Sequence, residues 1–68
     1  MSQEASIIIN GVELSGGQAM TIRVAVSQFF TEMSDDPHSL GDDEHGIAMT
    51  KAYKERCGEI LAFMAKYS

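Results

Sequence analysis

The dipeptide Asn10-Gly11 stands between two apolar, β-branched runs, Ile7-Ile8-Ile9 and Val12-Glu13-Leu14. A two-residue hairpin turn of type I′ needs positive φ at both central positions. Asn and Gly tolerate that conformation and most residues do not, so the pair constrains the chain to an antiparallel reversal more firmly than any other local signal in it. A β-hairpin is predicted over residues 6–14, with strands of about four residues, and residues 1–5 are expected to fray. Two strands alone are not stable in water, so the hairpin has to be supported by the rest of the chain.

The second strand runs directly into Leu14-Ser15-Gly16-Gly17-Gln18. Ser15 and Gln18 have the S-x-x-Q spacing of a capping box. The Ser hydroxyl accepts from the Gln18 backbone N–H, and the Gln18 side chain accepts from the Ser15 backbone N–H. Beyond it Ala19, Ile22, Val26, Phe29 and Met33 recur at intervals of three and four, with Ala25 and Phe30 beside them, which predicts a first helix over 15–34. The letters LSGGQ also form the signature of ATP-binding-cassette ATPases. That chemistry needs a G-x-x-x-x-G-K-[ST] phosphate loop and a Walker B acid as well, and neither is present. The motif therefore reads as the junction where a strand ends and a capped helix begins.

Pro37 cannot continue a helix and pushes Asp36 out of the α region, so 35–42 is expected to be a loop. Asp42-Asp43-Glu44 supplies acids, and an Asp cap, for the positive end of a second helix over 43–67. Its apolar positions are Ile47 or Met49, then Tyr53, Cys57, Ile60, Leu61, Met64 and Tyr67, and Lys51 with Glu55 is an i,i+4 pair on the outer side. Gly46 and Gly58 each weaken such a helix by about 1 kcal/mol relative to Ala, and Gly58 offers a close helix approach. The expected fold is one domain over 1–68, α+β and mainly α: a short N-terminal β-hairpin followed by an antiparallel two-helix hairpin.

A chain of 68 residues buries only about 60% of its unfolded surface, and its single Cys cannot form an internal disulfide. Phe29, Phe30, Met33, Phe63 and Met64 are more apolar surface than one helix pair readily covers. They are the expected interface of a homodimer or higher homo-oligomer, assembled through the helices as a bundle.

Ten acids stand against five Lys and Arg, a net charge of -5. That balance disfavours direct nucleic-acid binding and suits a basic protein partner. Asp35, Asp36, Asp42, Asp43 and Glu44 are the acidic candidates for such a contact. The sequence shows no signal-peptide pattern and no apolar run of membrane-spanning length, and one free thiol fits a reducing compartment, so a cytoplasmic location without membrane contact is expected.

The reactive side chains are few. His38, Asp42, Asp43 and His45 match no recognised metal-ligand spacing. Cys57 falls on the apolar side of the second helix, where a Cys behaves as a small hydrophobe. No enzyme activity, metal or cofactor is expected, because a chain this short offers little concave space. Arg23 and Arg56, brought together from different subunits, have the forked geometry to hold a phosphorylated ligand, with Tyr53 or Tyr67 stacking on a base.

From Gln18 onward the letters fit a pattern: Gln18 to Thr21, Arg23 to Ala25, Phe29, Leu40 to Gly46, Met49, Thr50 and Tyr53. They resemble a group of small tailed-phage and prophage proteins that share QAMT-x-RVA, F, GLGDDEHG and MT-x-x-Y, with Ser39 standing where that pattern has Gly. The resemblance covers about two thirds of the chain and brings no site residues with it, fold alone giving no function. It implies a viral context, in which a very small acidic protein acts by binding and blocking. The expectation is a non-enzymatic accessory protein that inhibits a bacterial antiviral defence system. It would do so by covering a defence protein such as a CRISPR complex or by sequestering a nucleotide signal. The alternative is a phage structural, assembly or regulatory interaction protein.

Overall fold

Asn10 and Gly11 adopt φ of 50° and 80°, the two positive values that a type I′ turn requires. They join β1 (Ile8–Ile9) to β2 (Val12–Glu13), paired antiparallel with Ile9 opposite Val12 and Ile8 opposite Glu13. A further bond from Leu14 N–H to the Ile7 carbonyl, 2.8 Å, extends the ladder by one rung. The computed structural model describes residues 4–66. Within them, two helices complete the fold, α1 (Gly16–Asp35) and α2 (Glu44–Lys66). The chain is thus an α+β fold, mainly α, with a short hairpin ahead of an antiparallel helical hairpin.

The capping box forms as its spacing requires. Gln18 N–H donates to Ser15 Oγ at 3.2 Å, and Ser15 N–H donates to Gln18 Oε1 at 3.0 Å. The expected fraying near the start does not extend to Glu4. Its carboxylate takes two hydrogen bonds from the Arg23 guanidinium, at 2.9 and 3.2 Å, so the segment entering β1 is clamped to α1. The hairpin is held at its two ends, by this clamp and by the Ser15 cap; Ile7 and Leu14 at its base are half-buried, while β1 and β2 stand off both helices.

Between the helices, Ala19, Met33, Cys57 and Met64 are buried, together with Thr50. On α1 the inner face is the expected one, except that Ala25 is exposed and Arg23 is half-buried. On α2 the expected stripe needs correction. Its inner positions are Met49, Thr50, Cys57, Leu61 and Met64, while Ile47, Tyr53 and Ile60 lie at the exposed margin. The reason is Thr50. Its hydroxyl donates to the Gly46 carbonyl at 2.8 Å and accepts from Leu40 N–H at 3.3 Å, so a polar side chain is satisfied in the interior and helps set which face turns inward. Lys51 and Glu55 are both exposed and do not form the expected ion pair. Tyr67 lies outside the described residues.

Candidate functional site

The acidic candidates gather where α1 turns into α2, and the turn is built from their own backbone and side chains. Asp36 ends α1, its N–H bonded to the Glu32 carbonyl, and its carboxylate accepts the His38 N–H at 2.9 Å. Ser39 Oγ donates to the Asp36 carbonyl at 2.7 Å and fastens the turn. Gly41 has φ of 140°, open only to glycine without strain. Asp43 then caps α2, accepting the Gly46 N–H at 2.7 Å, and its carbonyl takes the Ile47 N–H at 3.0 Å.

Gly46 is the tightest point of this joint. A Cβ there would lie 2.6 Å from the Gly41 Cα and 2.7 Å from the Gly41 carbonyl carbon and oxygen, all backbone atoms. The loop can therefore lie directly on the first turn of α2 only because residue 46 has no side chain. Leu40 N–H reaching Thr50 completes the contact from the other side. The letters LGDDEHG…MT are thus largely accounted for by loop and cap geometry.

That division separates the five acids by role. Asp36 and Asp43 are structural, and their carboxylates already accept backbone N–H groups. Asp35, Asp42 and Glu44 are exposed. Asp42 is nearly free in solvent, with its side chain 97% exposed and only His38 Nδ1 nearby at 3.4 Å. No Lys or Arg pairs with any of the five among the described residues. The result is a concentration of acidic side chains, with no Lys or Arg ion pair among the described residues, at one end of a molecule 41 Å long.

The basic candidates are not gathered. Arg23 is committed to Glu4, and the hydrogen bonds between them hold the Glu4 carboxyl below the usual carboxylate range and the Arg23 guanidinium above its own. Arg56 is exposed on α2. Phe30 lies against Gly58, where an added Cβ would sit 3.5 Å from its ring, so Arg56 is level with that turn of α1. Arg23 lies two turns away, about 10 Å along the axis at ~1.5 Å per residue. Tyr53 is 41% exposed, with its ring 6.0 Å from that of Phe29 and tilted by 54°.

Of the five residues expected to meet a partner subunit, Met33 and Met64 are corrected to core. They are 2% and 9% exposed within the single chain, so neither is left for a partner to cover. Phe29 and Phe30 are half-buried, and Phe63 is 66% exposed. Sequence reasoning passed over a second feature near the loop. Lys51 and Lys54 flank a shallow depression of about 250 Å³ floored by Met33, Pro37, Ile47 and Thr50. The spacing of the two Lys was visible, but the floor is assembled from both helices and the loop.

Cys57 is buried, and loss of solvent pushes its thiol pKa up, the opposite of an activated nucleophile. Among the described residues no three His, Cys, Asp or Glu side chains are gathered to hold a metal ion, and no helix is long and apolar enough to cross a membrane. No protein-family model, curated protein or solved structure matches the chain.

Proposed function

We propose that this chain is a non-enzymatic, phage-type accessory protein that works in the host cytoplasm by stoichiometric binding, and that it blocks a bacterial defence protein by presenting its acidic loop end to a basic surface. The observation that carries this is the exposed trio Asp35, Asp42 and Glu44, none of them paired with a Lys or Arg among the described residues, on a joint whose backbone is locked by Asp36, Asp43 and Gly46. A rigid mount for charge lowers the ordering cost of binding and steers a cationic groove toward it. A nucleic-acid-binding groove of a surveillance complex such as a CRISPR effector has that chemistry. The resemblance to phage and prophage proteins supplies the context. Capture of a phosphorylated signal between Arg23 and Arg56 is the weaker mechanism, since Arg23 already has a bidentate partner.

The test is inhibition of target binding by a purified surveillance complex, titrated with the wild-type chain and with the triple reversal Asp35→Lys, Asp42→Lys and Glu44→Lys. These positions leave both backbone caps intact. Saturable inhibition at a fixed molar ratio that weakens about tenfold or more in the reversal, and that fades as salt rises, is expected for steering by exposed charge. Undiminished inhibition by the folded reversal removes the acidic end from the mechanism.

A further inference from the structure

The helical hairpin is elongated and leaves apolar side chains uncovered. The chain's radius of gyration is 13.9 Å, against about 11 Å for a globule of 68 residues.

Much of the exposed apolar surface collects at the hairpin end. Ile8, Ile9 and Val12 are 63%, 49% and 64% exposed, and Phe63 and Ile60 on α2 are 66% and 41% exposed. Ile8, Ile60 and Phe63 line one open groove of about 680 Å³ between the segment entering the hairpin and the C-terminal half of α2. Among the described residues nothing pairs with the outer edge of either strand, and residues 6–14 carry no Lys, Arg or Pro to guard it.

We propose that the hairpin end is a two-fold interface, in which a second copy of this chain seats its hairpin in the groove beside Ile60 and Phe63. Charge selects a second copy. The acidic loop stands at the other end of the 41 Å long axis, so apposed hairpin ends hold the two acidic clusters several Debye lengths of ~8 Å apart. Glu4, the charged residue lining the groove, is already neutralised by Arg23. A basic partner is drawn to the loop end instead. The shape allows it as well: Ile8 lines the groove, while Ile9 and Val12, on the other face of the ribbon by strand alternation, are left to meet the partner's Ile60 and Phe63 in an isologous contact. The dimer then carries two acidic ends facing outward, which makes it bivalent toward any basic target.

The test is sedimentation equilibrium of the full chain from low to high micromolar, beside Ile8→Asp and Phe63→Asp. Hydrogen exchange of residues 6–14 is measured over the same range. The wild type is expected to dimerise, with exchange in the hairpin slowing as dimer forms. Each substitution places a charge on an exposed position, so helical circular dichroism stays unchanged while dimerisation weakens about tenfold or more. A wild type that stays monomeric at high micromolar overturns the proposal. So does a dimer that both folded variants retain, which would put the contact elsewhere, for example at Phe29 and Tyr53. Slow hairpin exchange independent of concentration overturns it too, because the chain then covers its own groove. Should the variants not fold, the wild-type exchange series decides by itself. Neither readout involves a defence assay, so a dimer that inhibits nothing and an inhibitor that stays monomeric are told apart.

Discussion

The two ends of the molecule solve opposite problems. At the loop end, eight residues reverse the chain between two long helices, and the polar groups that shape the turn are paired. Asp36 and Asp43 cap backbone N–H groups, Thr50 bridges loop to helix, and Gly41 and Gly46 bring two backbones into contact. At the hairpin end the backbone turn is equally well specified, yet the element stands off the helices and leaves apolar side chains exposed. Local hydrogen bonding completes the first end. The second has good local geometry but too little neighbouring surface to bury its side chains, because a short chain runs out of core.

Substitutions that load or empty the loop end should have the largest effects. Gly46→Ala sets a methyl group against Gly41 backbone that no side-chain rotation can relieve. A loss of about 3 kcal/mol is expected, which at ~4–8 °C per kcal/mol lowers the melting temperature by more than 10 °C. Gly58→Ala is the control, since its Cβ would meet only the Phe30 ring at 3.5 Å, an ordinary contact. It should be neutral or slightly stabilising by helix propensity. Equal melting temperatures for the two variants would erase the contrast between the ends.

Met33→Ala is of the same order, at about 2–5 kcal/mol for a large core side chain removed near the loop, whereas Phe63→Ala should change the stability of the isolated chain by no more than about 0.5 kcal/mol. Denaturant melts at low micromolar read both. A large loss for Phe63→Ala under those conditions would mean that the hairpin end is packed within one chain. Thr50→Val keeps the shape but removes the hydroxyl that joins loop to helix, for an expected cost of about 1–2 kcal/mol. Ser15→Ala removes the α1 cap, for about 1 kcal/mol.

The smallest effect is one of pH. The Glu4 carboxyl is held below its ordinary value by its bond to Arg23, so the folded state binds that proton less readily than the unfolded chain. The contribution is present above the unfolded carboxylate value of about 4.3 and is lost as pH falls through the lower folded value. Acid should therefore loosen the hairpin from α1 before the helical pair melts. Glu4→Gln should remove that step, which hydrogen exchange of residues 6–14 as a function of pH will show.

Much of the local structure was legible. Asn10-Gly11 named its turn type, Ser15 and Gln18 their reciprocal cap, and Pro37 with the acids after it the loop and the start of α2. Each signal acts within a few residues, where sequence spacing is spatial spacing. The inner face of α2 was less legible. Apolar counting placed Tyr53 and Ile60 inside and overlooked Thr50, because the partner that permits a buried hydroxyl, Leu40 N–H, lies ten residues away. The acidic cluster was visible as a charge run, but not its division into caps and free carboxylates. A reversal at Asp43 would therefore disturb the α2 cap together with the charge. Arg23 was read as available because its partner, Glu4, lies nineteen residues away in a segment expected to fray.

The sequence by itself determined the turn, the caps, the order of elements and the sign of the surface, since these depend on dihedral preferences, short-range hydrogen bonds and composition. The tertiary structure decided which glycine is indispensable, which methionines are core, which carboxylates stay free and which end remains open. Those outcomes depend on how closely two backbones approach and on which side chains a facing helix covers, and such distances are set only when residues far apart in the chain meet.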